Sequence, residues 1–79
     1  MKTIKVEYFA VLREQAGLDT EVIETAGATP EELFDELRRR HGFAGRETLK
    51  VAVNDEFGDW QQALQDGDSV VFIPPVAGG

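Results

Sequence analysis

The sequence predicts a single α+β domain in which one main helix lies across one face of a mixed sheet of about four or five strands. Three segments carry this prediction. Residues 2–10 alternate between apolar and polar side chains, residues 29–41 form a helix pattern with signals at both ends, and residues 69–73 form an apolar run. With 79 residues and 42% hydrophobic content, the chain can bury one thin core and is too apolar for a disordered segment.

The first predicted element is a half-buried strand over residues 2–10, because apolar and polar side chains alternate along it. Phe9 departs from the alternation and places an aromatic ring on the polar face. Residues 11–16 favour a short helical turn that ends at Gly17, and residues 20–25 favour a second strand paired with the first. The predicted buried face of the first strand consists of Ile4, Val6, Tyr8 and Ala10.

Residues 29–32, which read TPEE, predict the start of the main helix. Thr29 can accept a hydrogen bond from an early helical N–H group, proline suits the first helical position, and Glu32 completes a capping box. The helix ends just before Gly42, which suits the left-handed position there. The basic run at residues 38–40 favours a helix C-terminus rather than a phosphate site, since cations stabilise that end. The apolar stripe consists of Leu33, Phe34 and Leu37.

The remaining elements complete a sheet. Residues 49–53 predict a third strand, which is followed by a turn and a short strand near Phe57. Residues 66–68 read DGD and predict a tight turn, and residues 69–73 have the pattern of a central strand. The resulting order of elements is that of the β-grasp, or ubiquitin-like, architecture. A short turn between these strands is expected to be held to the core by Trp60 and Leu64.

One helix covers only one face of such a sheet, so apolar residues on the other face require an explanation. Phe9 is one of them, and an exposed apolar patch usually marks a partner site. We therefore predict a partner-binding patch on the uncovered face. The alternative is that the loop residues Phe43 or Trp60 fold over it. The last strand contributes one of two pairs to this face, Val71 and Ile73 or Val70 and Phe72.

Composition excludes several classes of function. A net charge of −7 argues against a nucleic-acid partner, because Lys and Arg contacts to phosphate dominate such binding. No apolar run approaches the roughly 18–20 residues of a membrane span, so we expect a cytoplasmic protein without membrane contact. There is no cysteine, and the single histidine and single serine, His41 and Ser69, do not suggest a nucleophile with its base. His41 instead falls in the last turn of the helix, where a cation is favoured. We expect no metal and no tightly bound cofactor.

The C-terminal residues 76–79 read VAGG and follow two consecutive prolines. Prolines cannot continue a strand ladder, so we expect a domain over residues 1–75 and an extended tail that reaches about 13 Å beyond it. Gly78 and Gly79 lack a Cβ atom, so they can enter a narrow channel and present a bare α-carboxylate. Adenylation makes such a carboxylate reactive toward acyl transfer, and a sulfur nucleophile that displaces AMP leaves a thiocarboxylate.

Residues 72–79, which read FIPPVAGG, resemble the signature tail of the MoaD family, the small sulfur-carrier subunit of molybdopterin synthase. Many members of that family have an aromatic residue before the two prolines, where this chain has Ile73. The resemblance extends over the whole chain. It includes the opening IKVEYFA of residues 4–10, Arg13-Glu14, the strand end at residues 52–54 and the turn at residues 66–68.

The resemblance implies a carrier with no catalytic residue of its own beyond its modified terminus, Gly79. An adenylating enzyme related to ubiquitin-activating enzymes would use ATP to join AMP to Gly79, and a sulfurtransferase would convert the product to a thiocarboxylate. The tail, with Val76, Ala77 and Gly78, would then donate sulfur to cyclic pyranopterin monophosphate in the active site of the large synthase subunit. The complex would be a heterotetramer of two small and two large subunits. Partner-interface positions of the family correspond to Phe9, Arg13, Ile73, Pro74 and Pro75.

Three alternatives stay open at the level of the sequence. The first is a sulfur carrier for thiamin, cysteine or tRNA thiolation. The second is a ubiquitin-like protein modifier, in which activated Gly79 acylates lysine side chains. The third is a non-covalent interaction module. A plant-type ferredoxin, which shares the predicted architecture, is excluded because its iron–sulfur cluster needs four cysteines and the chain has none.

Overall fold

The computed structural model describes residues 1–75, and the predicted tail over residues 76–79 lies outside this part. The described chain forms a mixed five-stranded sheet with two helices, in the β-grasp arrangement that the sequence predicts. Neither helix of this part is long and apolar enough to span a membrane. In chain order the elements are β1 (Lys2–Tyr8), α1 (Ala10–Ala16), β2 (Thr20–Thr25), α2 (Pro30–His41), β3 (Lys50–Val53), β4 (Glu56–Phe57) and β5 (Ser69–Ile73).

The last strand, β5, lies at the centre of the sheet, whose strand order is β2-β1-β5-β3-β4. β5 runs parallel to β1 in a register that pairs Tyr8 with Phe72, and antiparallel to β3 in a register that pairs Lys50 with Ile73. The pairs β1–β2 and β3–β4 are antiparallel. The chain that follows Ile73 therefore leaves the sheet beside the C-terminal end of β1 and the N-terminal end of β3.

Helix α2 begins and ends where the sequence signals place it. The Thr29 hydroxyl oxygen accepts a hydrogen bond from the Glu32 N–H group at 3.3 Å, which satisfies one of the unpaired donors at the helix start. The Glu32 carboxylate accepts from the Ala28 N–H group at 3.2 Å, one residue before the cap. At the other end Gly42 adopts a φ of 76°, and its N–H group donates to the carbonyl of Arg38 at 2.8 Å. The predicted caps are confirmed, with the reciprocal bond displaced by one residue.

The core lies between α2 and one face of the sheet. The stripe residues Leu33, Phe34 and Leu37 are each no more than 1% exposed, as the helix pattern predicts. Trp60 packs at the margin of this core, and its ring stacks on that of Phe72 with the two ring centroids 5.7 Å apart. The other buried members of the core are Ile4, Val6, Tyr8, Leu12, Ile23, Phe43, Val51, Val53, Leu64 and Val70.

The junction between β1 and α1 differs from the sequence prediction. β1 ends at Tyr8, and Ala10 lies exposed at the first position of α1 instead of on the buried face of the strand. Ala10 has a φ of 51°, a left-handed conformation that costs an L-residue about 1–2 kcal/mol. This turn takes the chain out of the sheet directly after Phe9, and Leu12 enters the core instead. Gly17 ends α1 with a φ of 73°, as predicted.

Candidate functional site

The candidate site begins at the root of the C-terminal tail, which we define as residues 73–75. Ile73 is the last residue of the central strand, Pro74 is half-buried and Pro75 is exposed. The chain therefore leaves from the middle of the sheet, held on both sides by neighbouring strands. Four residues with predicted roles lie outside the described part, and their roles stay predictions: Val76, Ala77, Gly78 and Gly79.

The face of the sheet that α2 leaves uncovered, here called the open face, carries an apolar groove. Val70 and Phe72 are fully buried on the α2 side, so Val71 and Ile73 lie on the open face. Phe9 joins them at the end of β1 and is 42% exposed. The open-face groove has a volume of about 260 Å³ and is lined by Glu7, Phe9, Ala52, Asp55, Phe57, Val71 and Ile73.

The loop residues that could have covered this face lie on the other side of the sheet. Phe43 is 3% exposed, and its ring packs against those of Tyr8 and Phe34. Trp60 stacks on Phe72, which faces α2. The alternative that either ring folds over the open face is therefore wrong. Within residues 1–75 the open-face groove is open to a partner.

Phe57 is a groove residue whose role the sequence did not reveal. It is 74% exposed, and its pairing with Ala52 places both residues on the open face. The short strand near Phe57 was predicted, but two residues are too few to show which face the ring occupies. The pairing across the β3–β4 hairpin is what assigns Phe57 to the groove.

A second apolar groove adjoins the tail root on the side of α1. Its volume is about 400 Å³, and Pro74 and Pro75 line it together with Val11, Leu12 and Leu49. Val11 is 47% exposed, so this surface is also accessible. Apolar surface thus meets the tail root in two places, through Ile73 and through the two prolines.

The model of the ThiS family matches residues 6–79, which is almost the whole chain. The chain belongs to the ThiS family. Curated relatives of this ThiS-family chain are named molybdopterin synthase sulfur carrier subunit. The protein of Chlamydomonas reinhardtii is 40% identical over 96% of this chain and 98% of its own length. The protein of Escherichia coli is 36% identical over 96% and 99% of the two chains. The resemblance to the small-subunit family is confirmed.

Solved structures extend these similarities to the fold. A Pyrococcus furiosus protein described as molybdopterin converting factor, subunit 1, superimposes with a TM-score of 0.80 at 36% identity, covering 96% of this chain and all of its own. Small archaeal modifier protein 1 of Haloferax volcanii superimposes with a TM-score of 0.83 at 25% identity, and the match covers 96% of this chain and all of that chain. A chain from the complex of subunits 1 and 2 of the Helicobacter pylori molybdopterin-converting factor superimposes with a TM-score of 0.70 at 25% identity. The match covers 98% of this chain and 99% of that chain.

Among the predicted interface residues of the ThiS-family chain, Arg13 stands apart. It lies on α1 and does not line either groove. Its Nε atom lies 3.7 Å from the Asp19 carboxylate, and its side chain is 56% exposed. Exposed pairs of this kind contribute about 0–1 kcal/mol, so Arg13 is free to exchange partners. The structure brings Phe9 and Ile73 together, and the role of Arg13 at an interface stays a prediction.

A half-buried carboxylate, Glu21, joins β1, β2 and α2 on the α2 side of the sheet. Its Oε1 atom accepts a hydrogen bond from the Tyr8 hydroxyl at 2.8 Å and lies 2.9 Å from Nε2 of His41. Its Oε2 atom lies 3.4 Å from the Arg40 guanidinium. Burial raises the pKa of Glu21, but the hydrogen bonds from His41 and Tyr8 and the charges of His41 and Arg40 outweigh it and lower that pKa. Burial and the bond to Glu21 raise the pKa of Tyr8.

Glu21→Gln is expected to lower the free energy of unfolding by about 1–3 kcal/mol at pH 7, because it weakens hydrogen bonds to a charged group. The folded-state pKa of Glu21 lies below its ordinary value of 4.5, so its contribution is present above pH 4.5 and is lost as the pH falls through the folded pKa. Urea denaturation at pH 7 and at about pH 3 measures this loss. The difference in the free energy of unfolding between wild type and variant should be smaller at the lower pH. Glu24→Gln, on an exposed position of the same strand, is the matched control, and an equal difference at both pH values would contradict the prediction.

Proposed function

We propose that this chain is the sulfur-carrier subunit of molybdopterin synthase and that its C-terminal carboxylate is the group that carries sulfur. The observation that carries the proposal is full-length similarity, at 36–40% identity, to two curated proteins of that name. The structure supports it by ending the central strand at two prolines, directly before a sequence of small residues that closes on Gly-Gly. The chain therefore enters residues 76–79 from a strand that is paired with a neighbour on each side.

The proposed chemistry takes place at Gly79 in three steps. The carboxylate attacks the α-phosphate of ATP, which forms the acyl-adenylate and releases pyrophosphate. A persulfide sulfur of a sulfurtransferase then displaces AMP, and reductive cleavage by a thiol leaves the thiocarboxylate. An adenylating enzyme and the sulfurtransferase supply the catalytic groups, so the carrier needs no tightly bound cofactor. We place this cycle in the cytoplasm.

The loaded tail is proposed to enter the active site of the large synthase subunit and donate its sulfur to cyclic pyranopterin monophosphate. The open-face groove supports this docking, because Phe9, Phe57 and Ile73 form an exposed apolar surface next to the tail root. The Helicobacter pylori relative was solved as a complex of subunit 1 with subunit 2. We propose the same kind of partner here, in a heterotetramer of two small and two large subunits.

Intact-mass spectrometry tests the carrier function directly. The purified chain is incubated with ATP, the cognate adenylating enzyme and a sulfurtransferase charged with sulfur, and the C-terminal peptide is then analysed. The expected result is an oxygen-to-sulfur mass change confined to that peptide. A sample without ATP is the control, because the carboxylate is unreactive until it is adenylated. An unchanged mass in the complete reaction would overturn the proposal.

A second candidate function is protein modification, in which activated Gly79 forms an amide with a lysine amino group. The structural similarity to small archaeal modifier protein 1, with a TM-score of 0.83, favours keeping this candidate. The same mass-spectrometry experiment separates the two functions. A branched peptide that joins Gly79 to a lysine would indicate a modifier, and a C-terminal thiocarboxylate indicates a sulfur carrier.

Phe9→Ala is expected to weaken binding to the large subunit at least about tenfold, because aromatic residues at the centre of an interface carry much of its binding energy. The free energy of unfolding should fall by less than about 1 kcal/mol, since the ring is already 42% exposed. Isothermal titration calorimetry measures the first quantity and urea denaturation the second.

The matched control for Phe9 is Val22→Ala. Val22 is 67% exposed on the open face of β2, and it does not line the groove. Its loss should leave the affinity for the large subunit unchanged. A large loss of stability in Phe9→Ala would place the ring in the core, and an unchanged affinity would remove Phe9 from the interface.

A further inference from the structure

Two carboxylates lie beside the apolar residues of the open-face groove. Glu7 and Asp55 line it together with Val71 and Ala52, which contribute apolar surface to it. The same two carboxylates also line an adjoining cavity of about 180 Å³ that includes Val71. Glu7 and Asp55 therefore both line the two adjoining cavities, and in the open-face groove they are the polar residues among five apolar ones. Such a groove suits a lysine or arginine side chain, because its apolar surface can pack against the methylene stem and its carboxylates can pair with the charged end.

Asp55 is held in place by the tight hairpin between β3 and β4. Asn54 and Asp55 have φ values of 53° and 70°, the left-handed pair that a two-residue hairpin turn requires. The Asn54 side chain donates to the Asp68 carboxylate at 2.9 Å and accepts from the Ser69 N–H group at 3.0 Å. These bonds tie the turn to the start of β5. Asp55 is thus presented by backbone whose conformation is fixed before any partner arrives.

Glu7 is fixed by the sheet itself. It lies in β1, where it pairs with Val71 of β5 on one side and with Thr20 of β2 on the other. Among residues 1–75 neither Glu7 nor Asp55 forms an ion pair, whereas Glu21, Glu31 and Glu36 all do.

Two lysines, Lys5 and Lys50, lie on the open face together with the two carboxylates. Lys5 lines the adjoining cavity without forming an ion pair with either of them. The Lys50 amino group lies over the ring of Phe57, 5.9 Å from its centroid. The negative charge beside the groove is therefore available to a positive group from outside.

We propose that the open-face groove receives a lysine or arginine side chain of the large subunit. Its methylene stem would lie along Ala52 and Val71, and its charged end would meet Glu7 and Asp55. Long basic side chains bury their stems against apolar surface in this way, and a net charge of −7 favours a basic partner surface. This inference rests on the proposed function, because it concerns the same partner. It adds the chemical group by which that partner is recognised.

The test is the affinity of the double variant Glu7→Gln/Asp55→Asn for the purified cognate large subunit. Both changes keep the side-chain shape and remove the charge. The dissociation constant is expected to rise about tenfold, equivalent to about 1.4 kcal/mol, and its dependence on salt concentration should become shallower. Glu24→Gln removes an exposed charge from the open face of β2, outside the groove, and should change neither quantity.

The outcomes separate this inference from the proposed function. If the wild-type chain does not bind the large subunit at all, the proposed function is wrong and the inference goes with it. If the wild type binds and the double variant binds equally well with the same salt dependence, only the inference is overturned. Urea denaturation of the double variant, expected to match that of the wild type, shows that a loss of affinity comes from the interface.

Discussion

Gly79→Leu is expected to abolish sulfur transfer while leaving the fold intact. The proposed role of Gly79 requires partner active sites that accept a terminus without a side chain, and a displacement of even 1 Å at a reacting group can cost about 100-fold in rate. We therefore expect thiocarboxylate formation to fall at least about 100-fold. Intact-mass spectrometry of the C-terminal peptide, after incubation with ATP, the adenylating enzyme and the sulfurtransferase, measures the yield.

The control for this prediction changes the other end of the chain. One leucine added before Met1, which is 88% exposed, adds the same bulk without touching the tail, and it should leave transfer at the wild-type rate. Adding one residue after Gly79 should have the same effect as Gly79→Leu, because the reactive carboxylate is displaced. Continued sulfur loading of either C-terminal variant would show that Gly79 is not the group that carries sulfur.

The sequence predicted the elements whose signals are local. Thr29, Pro30 and Gly42 lie directly at the two ends of α2, and they placed this helix correctly. The central strand β5 was recognised because its run of apolar residues has no polar interruption. The same lack of alternation is why its two faces could not be told apart. Only the register with β1 and β3 shows that Val71 and Ile73 lie on the open face.

The parts that the sequence did not reveal depend on contacts distant in the chain. Ala10 continues the strand pattern by composition, yet its backbone turns into α1 and Leu12 takes the buried position. His41 was placed correctly at the end of α2, but its contact with Glu21, 20 residues earlier, follows from packing of the helix on the sheet. Phe57 joins the groove through a hairpin pairing with Ala52. Each of these features is determined by packing between elements and not by the local sequence.

Phe72→Ala is expected to lower the free energy of unfolding by about 3–5 kcal/mol, the cost of removing a large aromatic side chain from a core. Phe72 is fully buried, and the centroid of its ring lies 5.1 Å from the ring centroid of Phe34 and 5.7 Å from that of Trp60. Small domains have about 0.05–0.15 kcal/mol of stability per residue, or about 4–12 kcal/mol for a chain of 79 residues, so this loss removes a large part of the stability. Urea denaturation followed by the fluorescence of the single tryptophan measures it.

Val71→Ala is the matched control for Phe72→Ala, because the two positions are adjacent in β5 and face opposite sides of the sheet. It should cost less than about 1.5 kcal/mol, since this face has no layer packed over it within residues 1–75. A one-sided core requires this asymmetry: stability depends on the face toward α2, and the open face stays available to a partner. If Val71→Ala were as destabilising as Phe72→Ala, the open face would be packed in the free protein. The docking surface for the large subunit would then have to lie elsewhere.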